Sequence, residues 1–375
     1  MEYQRLGNYI KPVDKRNRDL KVNLSQGICN AKYFQNPKQI ADNPQAHKVV
    51  RTGQFAYNRA TTRNGDKISI ALREGPDCTV SSAYQVFEII DENLLHPKYL
   101  MMWFMRPEFD RLAIYYSHGS AHEFFEWEAM CDVQLPVPPI ERQREIVTEY
   151  ETLTHRIRLN QQIIQRLEDT AQALYRKTFI DNIDKQNLPP GWHLGTIEEL
   201  SEFVVTGVIP RYVVNGEFKV LGQRYVHDHS IDMSFVKMHL PKPNCLYIKN
   251  GDILINSTGS GTLGRAGQVF NSPQNLAFDS NMTLVRPKFD YLIDYLGFVI
   301  FDKEDYFVQI SQGSTNQTRL YCSMVKPIEI VVPAEGVLKD FTNKVRPMRF
   351  NIELRKQETE KLNELQSLLL AKMGH

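Results

Sequence analysis

The sequence predicts a mixed α/β protein: two tandem α/β domains separated by two long helices that form an antiparallel coiled coil, with internal pseudo-two-fold symmetry. Three observations predict it. The carboxy-terminal stretch repeats an earlier one, since QLPVPPIERQREIV from Gln134 lies without gaps over EIVVPAEGVLKDFT from Glu329. The globular parts repeat as well: GQFAYN from Gly53 matches GDILIN from Gly251, and VSSAYQVF from Val80 matches FDSNMTLV from Phe278 at the same offset. Each Pro-ended, strand-like run then flows into a stretch whose apolar residues recur at alternating steps of four and three, which marks a coiled-coil seam. A period this long is a duplication, not a solenoid repeat.

Residues 1–139 form the first domain, predicted as short strands and turns, a helix from about Pro97 to Tyr116, a polar loop and the Pro-ended strand. The spacing of Leu100, Trp103 and Phe104 fits a helical face packed on a sheet. The central helix, within 140–182, carries its seam through Ile146, Tyr150, Leu153, Ile157, Asn160, Ile164, Leu167, Ala171 and Leu174. Pro189 to Gly191 then end that connection, and the second domain, within 183–333, repeats the order with a helix from about Tyr291 to Ile310. The last helix, in 334–375, keeps the phase through Phe341, Val345, Met348, Ile352, Arg355, Thr359, Leu362, Gln366 and Leu369. Each helix should be about 60 Å long at 1.5 Å per residue. Asn160 and Arg355 fall near the middle of the pairing, where a polar pair sets register; the alternative is that they face solvent at the seam edge.

Length and composition suit two domains of ordinary size, with 375 residues and 42% hydrophobic content. A net charge of +1 gives no global basic signature, so any nucleic-acid contact must come from local patches. The five cysteines, Cys29, Cys78, Cys131, Cys245 and Cys322, are scattered without CxxC spacing, as expected of reduced thiols in a cytoplasmic protein. No apolar run reaches the ~18 residues of a membrane span, and the amino terminus has no apolar core for a secretory signal.

Chemistry is sparse. Gly259-Ser-Gly261-Thr-Leu-Gly264 satisfies GxGxxG after a strand-like DILINS, but the following RAGQVFNSPQNLAF reads as strand and turn rather than the helix that a dinucleotide site requires. These glycines more naturally form a loop that brings backbone close to a ligand. There is no GxxxxGK[ST], no HExxH and no Asp/Asn-Pro-Pro-aromatic tetrapeptide of amino-methyltransferases; Asp42-Asn43-Pro44-Gln45 lacks the second proline and the aromatic. The histidines at 118, 122, 227, 229 and 239 have no partner cluster at ligand spacing, so no metal site is expected.

The sequence does offer polar loops at equivalent places in the two units. Arg, Asn and Gln can bond base edges, whereas Ser, Thr and backbone N–H groups suit phosphates. On this basis the candidate DNA contacts are Arg59, Thr61, Thr62, Arg63 and Asn64 in the first unit, and Arg211, Ser257, Thr258, Ser260 and Arg265 in the second. Ser314, Thr315, Asn316, Gln317 and Arg319 follow the second unit's helix. For any one of them a solvated loop is the alternative.

The LPPGW segment from Leu188 with Gly195 and Ile197, the GDILINSTGS strand and loop, the QGST…VKPIEIVVP passage and the EIV…LTHRI…LEDTAQALYRKTF helix together resemble the specificity subunits of type I restriction-modification enzymes. The likeness covers nearly the whole chain. The first unit departs from it by opening directly on YQRLGNYI, and the second helix opens on AEGVLKDF where the family usually has proline followed by a Glu-Gln pair. The resemblance implies two target recognition domains, each reading one half of an interrupted, asymmetric double-stranded DNA site, with the helices as spacer and as dock for two methyltransferase subunits. It implies a non-catalytic chain: S-adenosylmethionine on the modification subunits, ATP and Mg on further restriction subunits, and no cofactor on this one. The alternatives are a specificity module for a fused nuclease-methylase and an orphan sequence-specific DNA-binding protein.

Overall fold

The computed structural model describes residues 2–37, 43–61, 67–117, 124–233, 236–242, 245–313 and 318–374. Two compact units result: Met1–Leu159 with Glu358–His375, and Asn160–Gln357.

The first unit runs through β1 (Tyr3–Arg5), β2 (Ile10–Val13), β3 (Gly27–Ile28), β4 (Phe34–Gln35), β5 (Lys48–Val50), β6 (Phe55–Asn58), β7 (Ile70–Leu72), β8 (Cys78–Val80) and β9 (Tyr84–Ile89). Helices α1 (Pro97–Met105), α2 (Pro107–Ser117) and α3 (Trp127–Asp132) follow, then β10 (Gln134–Pro136) and the long α4 (Ile140–Phe179). The main sheet has the order β2-β9-β6-β7 and is antiparallel throughout. Phe55, Ala56 and Tyr57 are all buried, so β6 is covered on both faces and its sequence shows no polar alternation. Phe55 stacks on Phe87 of β9 at 4.9 Å, and Phe104 of α1 meets both rings edge-on, which locks α1 to the sheet.

The single helix expected from Pro97 to Tyr116 is two. Arg106 leaves the helical region with φ −69° and ψ 137°, because the ring of Pro107 disfavours helical backbone in the residue before it. The new helix then starts on that proline.

The second unit uses the same plan. It contains β11 (His193–Thr196), α5 (Ile197–Leu200), β12 (Ser201–Thr206), β13 (Lys219–Leu221), β14 (Val226–His227), β15 (Ser230–Ile231), β16 (Lys237–Met238), β17 (Ile253–Asn256), β18 (Ala266–Gln268), β19 (Leu276–Phe278) and β20 (Met282–Pro287). After these come α6 (Ile293–Phe301), α7 (Glu304–Ile310), α8 (Cys322–Val325), β21 (Glu329–Val332) and α9 (Glu335–Lys372). Its main sheet, β12-β20-β17-β18, has the antiparallel order of the first, and the repeated GDILIN and FDSNMTLV segments supply β17 and β20 just as their counterparts supply β6 and β9. The helix expected from Tyr291 to Ile310 is interrupted at Asp302 and Lys303.

Within the first unit, Gln366 donates to Thr154 Oγ1 at 2.6 Å and Arg156 Nε donates to Glu358 at 2.7 Å. Within the second, Tyr175 and Phe179 of α4 pack on Phe341 of α9. The early part of each helix therefore meets the late part of the other, which is the antiparallel pairing the seam predicts. Asn160 is fully buried, so of the two sequence readings the solvent-facing one does not hold for it. Helix α9 also contains Pro347, which cannot donate to the carbonyl four residues back. Ion pairs flank that turn: Arg346 and Arg349 both reach the fully buried carboxylate of Asp294 on α6, at 2.9 and 3.2 Å.

Candidate nucleic-acid interface

In the second unit, β13 and β19 run parallel and both end at the mouth of a cleft of about 400 Å³. The residues just past their ends, Gly222 and Asp279, lie side by side in its lining, and an added Cβ on Gly222 would lie 3.3 Å from Asp279 Oδ2. Two further segments complete the walls. Residues Gln223–Tyr225 form a short 3-10 turn after Gly222, and the Gly259 loop leans against them.

That loop is tied down by polar groups. Asn256 Nδ2 donates to the Gln223 carbonyl at 3.0 Å and Thr258 Oγ1 donates to Gln223 Oε1 at 3.0 Å. Gly259 has φ +101°, and a Cβ there would come within 2.3 Å of Thr262 Oγ1, so this turn needs glycine. The GxGxxG run leads into β18, not into a helix. It therefore lacks the helix N-terminus on which a pyrophosphate would rest.

Charge is layered in the cleft. Arg224 and Lys237 stand exposed at the rim, and Lys237 Nζ lies 5.0 Å from the ring centre of Tyr212, which is itself 57% exposed. Asp279 lies at the floor, only 8% exposed. Asn281 donates its backbone N–H to Asp279 Oδ1 at 2.9 Å. Burial holds the Asp279 carboxyl above the usual carboxylate range, and its hydrogen bonds with Asn281 offset part of that. Burial also raises the Tyr212 hydroxyl, with the nearby Asp279 charge adding to it.

The predicted contact residues fall into three groups. Ser260 lines the cleft and Thr258 bonds the Gln223 side chain of its wall; Arg211 is exposed beside Tyr212; Arg265 is exposed at the far end of the Gly259 loop. Other candidates hold the fold. Ser257 is buried with its hydroxyl 2.8 Å from that of Thr283, and Arg319 Nη2 donates to the Ser280 carbonyl at 2.6 Å while its guanidinium lies over Tyr321. Arg319 thereby fixes the turn that carries Asp279. In the first unit, Arg59 pairs with Glu126 at 3.2 Å and lies over Phe124, and Thr61 is buried. Thr62, Arg63, Asn64, Ser314, Thr315, Asn316 and Gln317 lie outside the described residues.

Sequence reasoning missed Tyr212, Gln223, Arg224, Lys237, Asp279 and Asn281. A signal did exist in FDSNMTLV, because Asp-x-Asn after an apolar run favours a turn in which the carboxylate bonds the N–H two residues on. The first unit has the same turn at the matching place: Ser81 Oγ accepts from the Ala83 N–H at 3.4 Å. Among the described residues, no group of three His, Cys, Asp or Glu could hold a metal ion, and no helix is long and apolar enough to cross a membrane.

The family model of the type I restriction modification DNA specificity domain matches residues 48–169. A relative, the type I restriction enzyme HindI specificity subunit of Haemophilus influenzae, is 26% identical over 172 residues, which is 44% of this chain and 37% of that protein. The matched stretch thus spans little more than a third of the relative's length. Among solved structures, the S subunit of a type I restriction-modification system from M. genitalium matches 100% of this chain and 96% of its own, with TM-score 0.63 at 13% identity. A second, from work on complex assembly and conformational transition of the type I R-M system, matches 100% and 97% with TM-score 0.50 at 18% identity. At these identities the structural likeness establishes the fold, which is the one built above. The domain match over residues 48–169, the curated relative and the shared fold agree in what this chain is similar to, the specificity subunits of type I restriction-modification systems.

Proposed function

We propose that this chain is the DNA-sequence-reading component of a type I restriction-modification system, with each unit reading one half of a bipartite, asymmetric double-stranded site. The observation that carries this reading is the pair of units built on one antiparallel sheet plan whose equivalent turns present different side chains, Ser81 in one and Asp279 in the other. A common plan suits a common task on DNA, and different turn chemistry suits different half-sites. The match of residues 48–169 to the specificity-domain model and the likeness to a curated specificity subunit support it further.

On this reading α4 and α9 set the spacer and dock two methyltransferase subunits, with restriction subunits as further partners in the cytoplasm. The chain itself is non-catalytic. S-adenosylmethionine, ATP and Mg belong to the partners. The second unit's cleft suits a reader rather than a reaction centre, since its exposed Arg224 and Lys237 can take phosphates while polar groups point inward.

The test is to map methylated bases genome-wide in the source cell with this gene present, deleted, and carrying residues 191–333 from a relative. The deletion should abolish methylation at one bipartite motif, and the exchange should alter one half of that motif only. Motif methylation that survives deletion, or a change in both halves after the exchange, would refute the reading.

A further inference from the structure

We propose that Asp279 is a base-reading residue of the second unit, its carboxylate accepting a hydrogen bond from the exocyclic amino group of a cytosine. The inference rests on the reading of this chain as a DNA-sequence reader and names one atom-level contact within it.

Among the described residues four aspartates are buried, Asp110, Asp252, Asp279 and Asp294. Three of them are neutralised by a cation: Asp110 by Lys32 at 2.8 Å, Asp252 by Arg286 at 2.7 Å, and Asp294 by Arg346 and Arg349. Asp279 has no cation within ion-pair distance among the described residues, and the neighbour that holds it, Asn281, is neutral. A buried carboxylate without a cation costs stability, so its presence calls for a use.

The turn does not provide that use. In the first unit the same turn is closed by the hydroxyl of Ser81, which carries no charge. A serine would therefore serve the second unit structurally at lower cost. What Asp279 adds is an acceptor-only group on a cleft floor, below a rim bearing Arg224 and Lys237.

This arrangement selects the chemistry of its ligand. The rim attracts an anion, while the floor repels one and accepts hydrogen bonds, so the ligand must carry a phosphate at one end and a neutral N–H donor at the other. A nucleotide in a duplex meets both conditions. In the major groove cytosine presents a lone amino donor at N4, which suits an acceptor-only carboxylate, whereas adenine presents a donor beside an acceptor and suits an amide. Gly222 keeps the approach open, since even a methyl group there would come 3.3 Å from Asp279 Oδ2.

The experiment maps genome-wide methylation in cells carrying the parent gene, Asp279→Asn, Gly222→Ala or Arg224→Ala. Asp279→Asn should keep one half-site intact and relax the other at a single G·C pair, with the preference for that pair falling about tenfold or more. Gly222→Ala, whose backbone at φ −107° accepts a side chain, should relax the same pair without altering the carboxylate. Arg224→Ala should lower methylation at all sites alike and leave the motif unchanged. An unaltered motif in Asp279→Asn, a change confined to an A·T pair, or changes in both halves would overturn the proposal. Should Asp279→Asn fail to fold and give no methylation, Gly222→Ala decides: a relaxed G·C pair supports the assignment and an unaltered motif overturns it. Methylation that persists when the gene is deleted would instead overturn the DNA-reading function itself, so the two failures are distinct.

Discussion

Removing the guanidinium of Arg286 should loosen the second unit's sheet while leaving the first unit as it was. Arg286 on β20 binds Asp252 through two bonds of 2.7 Å and gives a third, of 2.8 Å, to the Tyr247 carbonyl, with the two side chains 7% and 1% exposed. Arg286→Met keeps most of the apolar stem but leaves the Asp252 carboxylate buried and without its cation, a change that typically costs about 3–5 kcal/mol. Replacing both partners, with Asp252→Leu added, removes the stranded charge. It also orphans the Tyr247 carbonyl and the Lys249 N–H that donates to Asp252 Oδ2 at 2.7 Å, at roughly 1–3 kcal/mol each, so recovery should be partial. Hydrogen exchange read by mass spectrometry separates the two units. Amides of β17 and β20 in Arg286→Met should exchange on the order of 10²–10³ times faster, while those of β6 and β9 keep the parent rates. An acceleration below tenfold in β17 and β20 would refute the view that this pair holds the strand leading out of the Asp279 turn.

Asp279→Asn should be at least as stable as the parent at neutral pH. Because the folded carboxyl is raised above its unfolded value, the parent loses stability as pH rises through the carboxylate range; the variant's advantage in denaturant midpoint should grow from pH 3 to pH 7, and a constant difference would count against it. Tyr175→Ala, which removes a ring 2% exposed and stacked on Phe298 at 5.0 Å, should cost about 3–5 kcal/mol in urea unfolding of the second unit, and a loss under 1 kcal/mol would mean the helix is not anchored there. Inserting one heptad after Asn160 and one after Arg355 lengthens both helices by about 10 Å with the seam in phase. Methylation mapping should then show a spacer longer by roughly 3 bp at about 3.4 Å per pair between unchanged half-sites; an active variant with the original spacer would remove the helices as the ruler.

The duplication was legible because both copies keep the segments of two central strands at one offset, so β6 and β9 announce β17 and β20 without any contact having to be known. The seam was legible for a similar reason: a coiled coil repeats one local contact, and every seam position from Ile146 to Leu174 is buried or half-buried. Breaks such as the one at Arg106 depend on a single proline inside an otherwise uniform pattern, which periodicity alone passes over. The cleft was not legible, since Tyr212, Gln223, Lys237, Ser260 and Asp279 come from separate segments brought together by the pairing of β13 with β16 and β19 and by the bonds from Asn256 and Thr258 to Gln223. Arg319 shows the opposite difficulty: a loop arginine suggests an outward contact, and only the fold reveals that its guanidinium is engaged by the Ser280 carbonyl.

The first unit is discontinuous in sequence, and its assembly during synthesis is affected accordingly. Leu369, Leu370 and Met373 pack against the cluster that holds Ile146, Val147 and Tyr150, and Tyr3 donates its hydroxyl to the Gly374 carbonyl at 2.7 Å. Residues 1–159 leave the ribosome first, yet they wait for about 200 further residues, on the order of 10–40 s at 5–20 residues per second, before their apolar helix face is covered. The second unit, 160–357, is an uninterrupted stretch and can close during that interval. Of the two units, the one begun first is therefore the one completed last, and the apolar face of its nascent helix stays uncovered in the meantime.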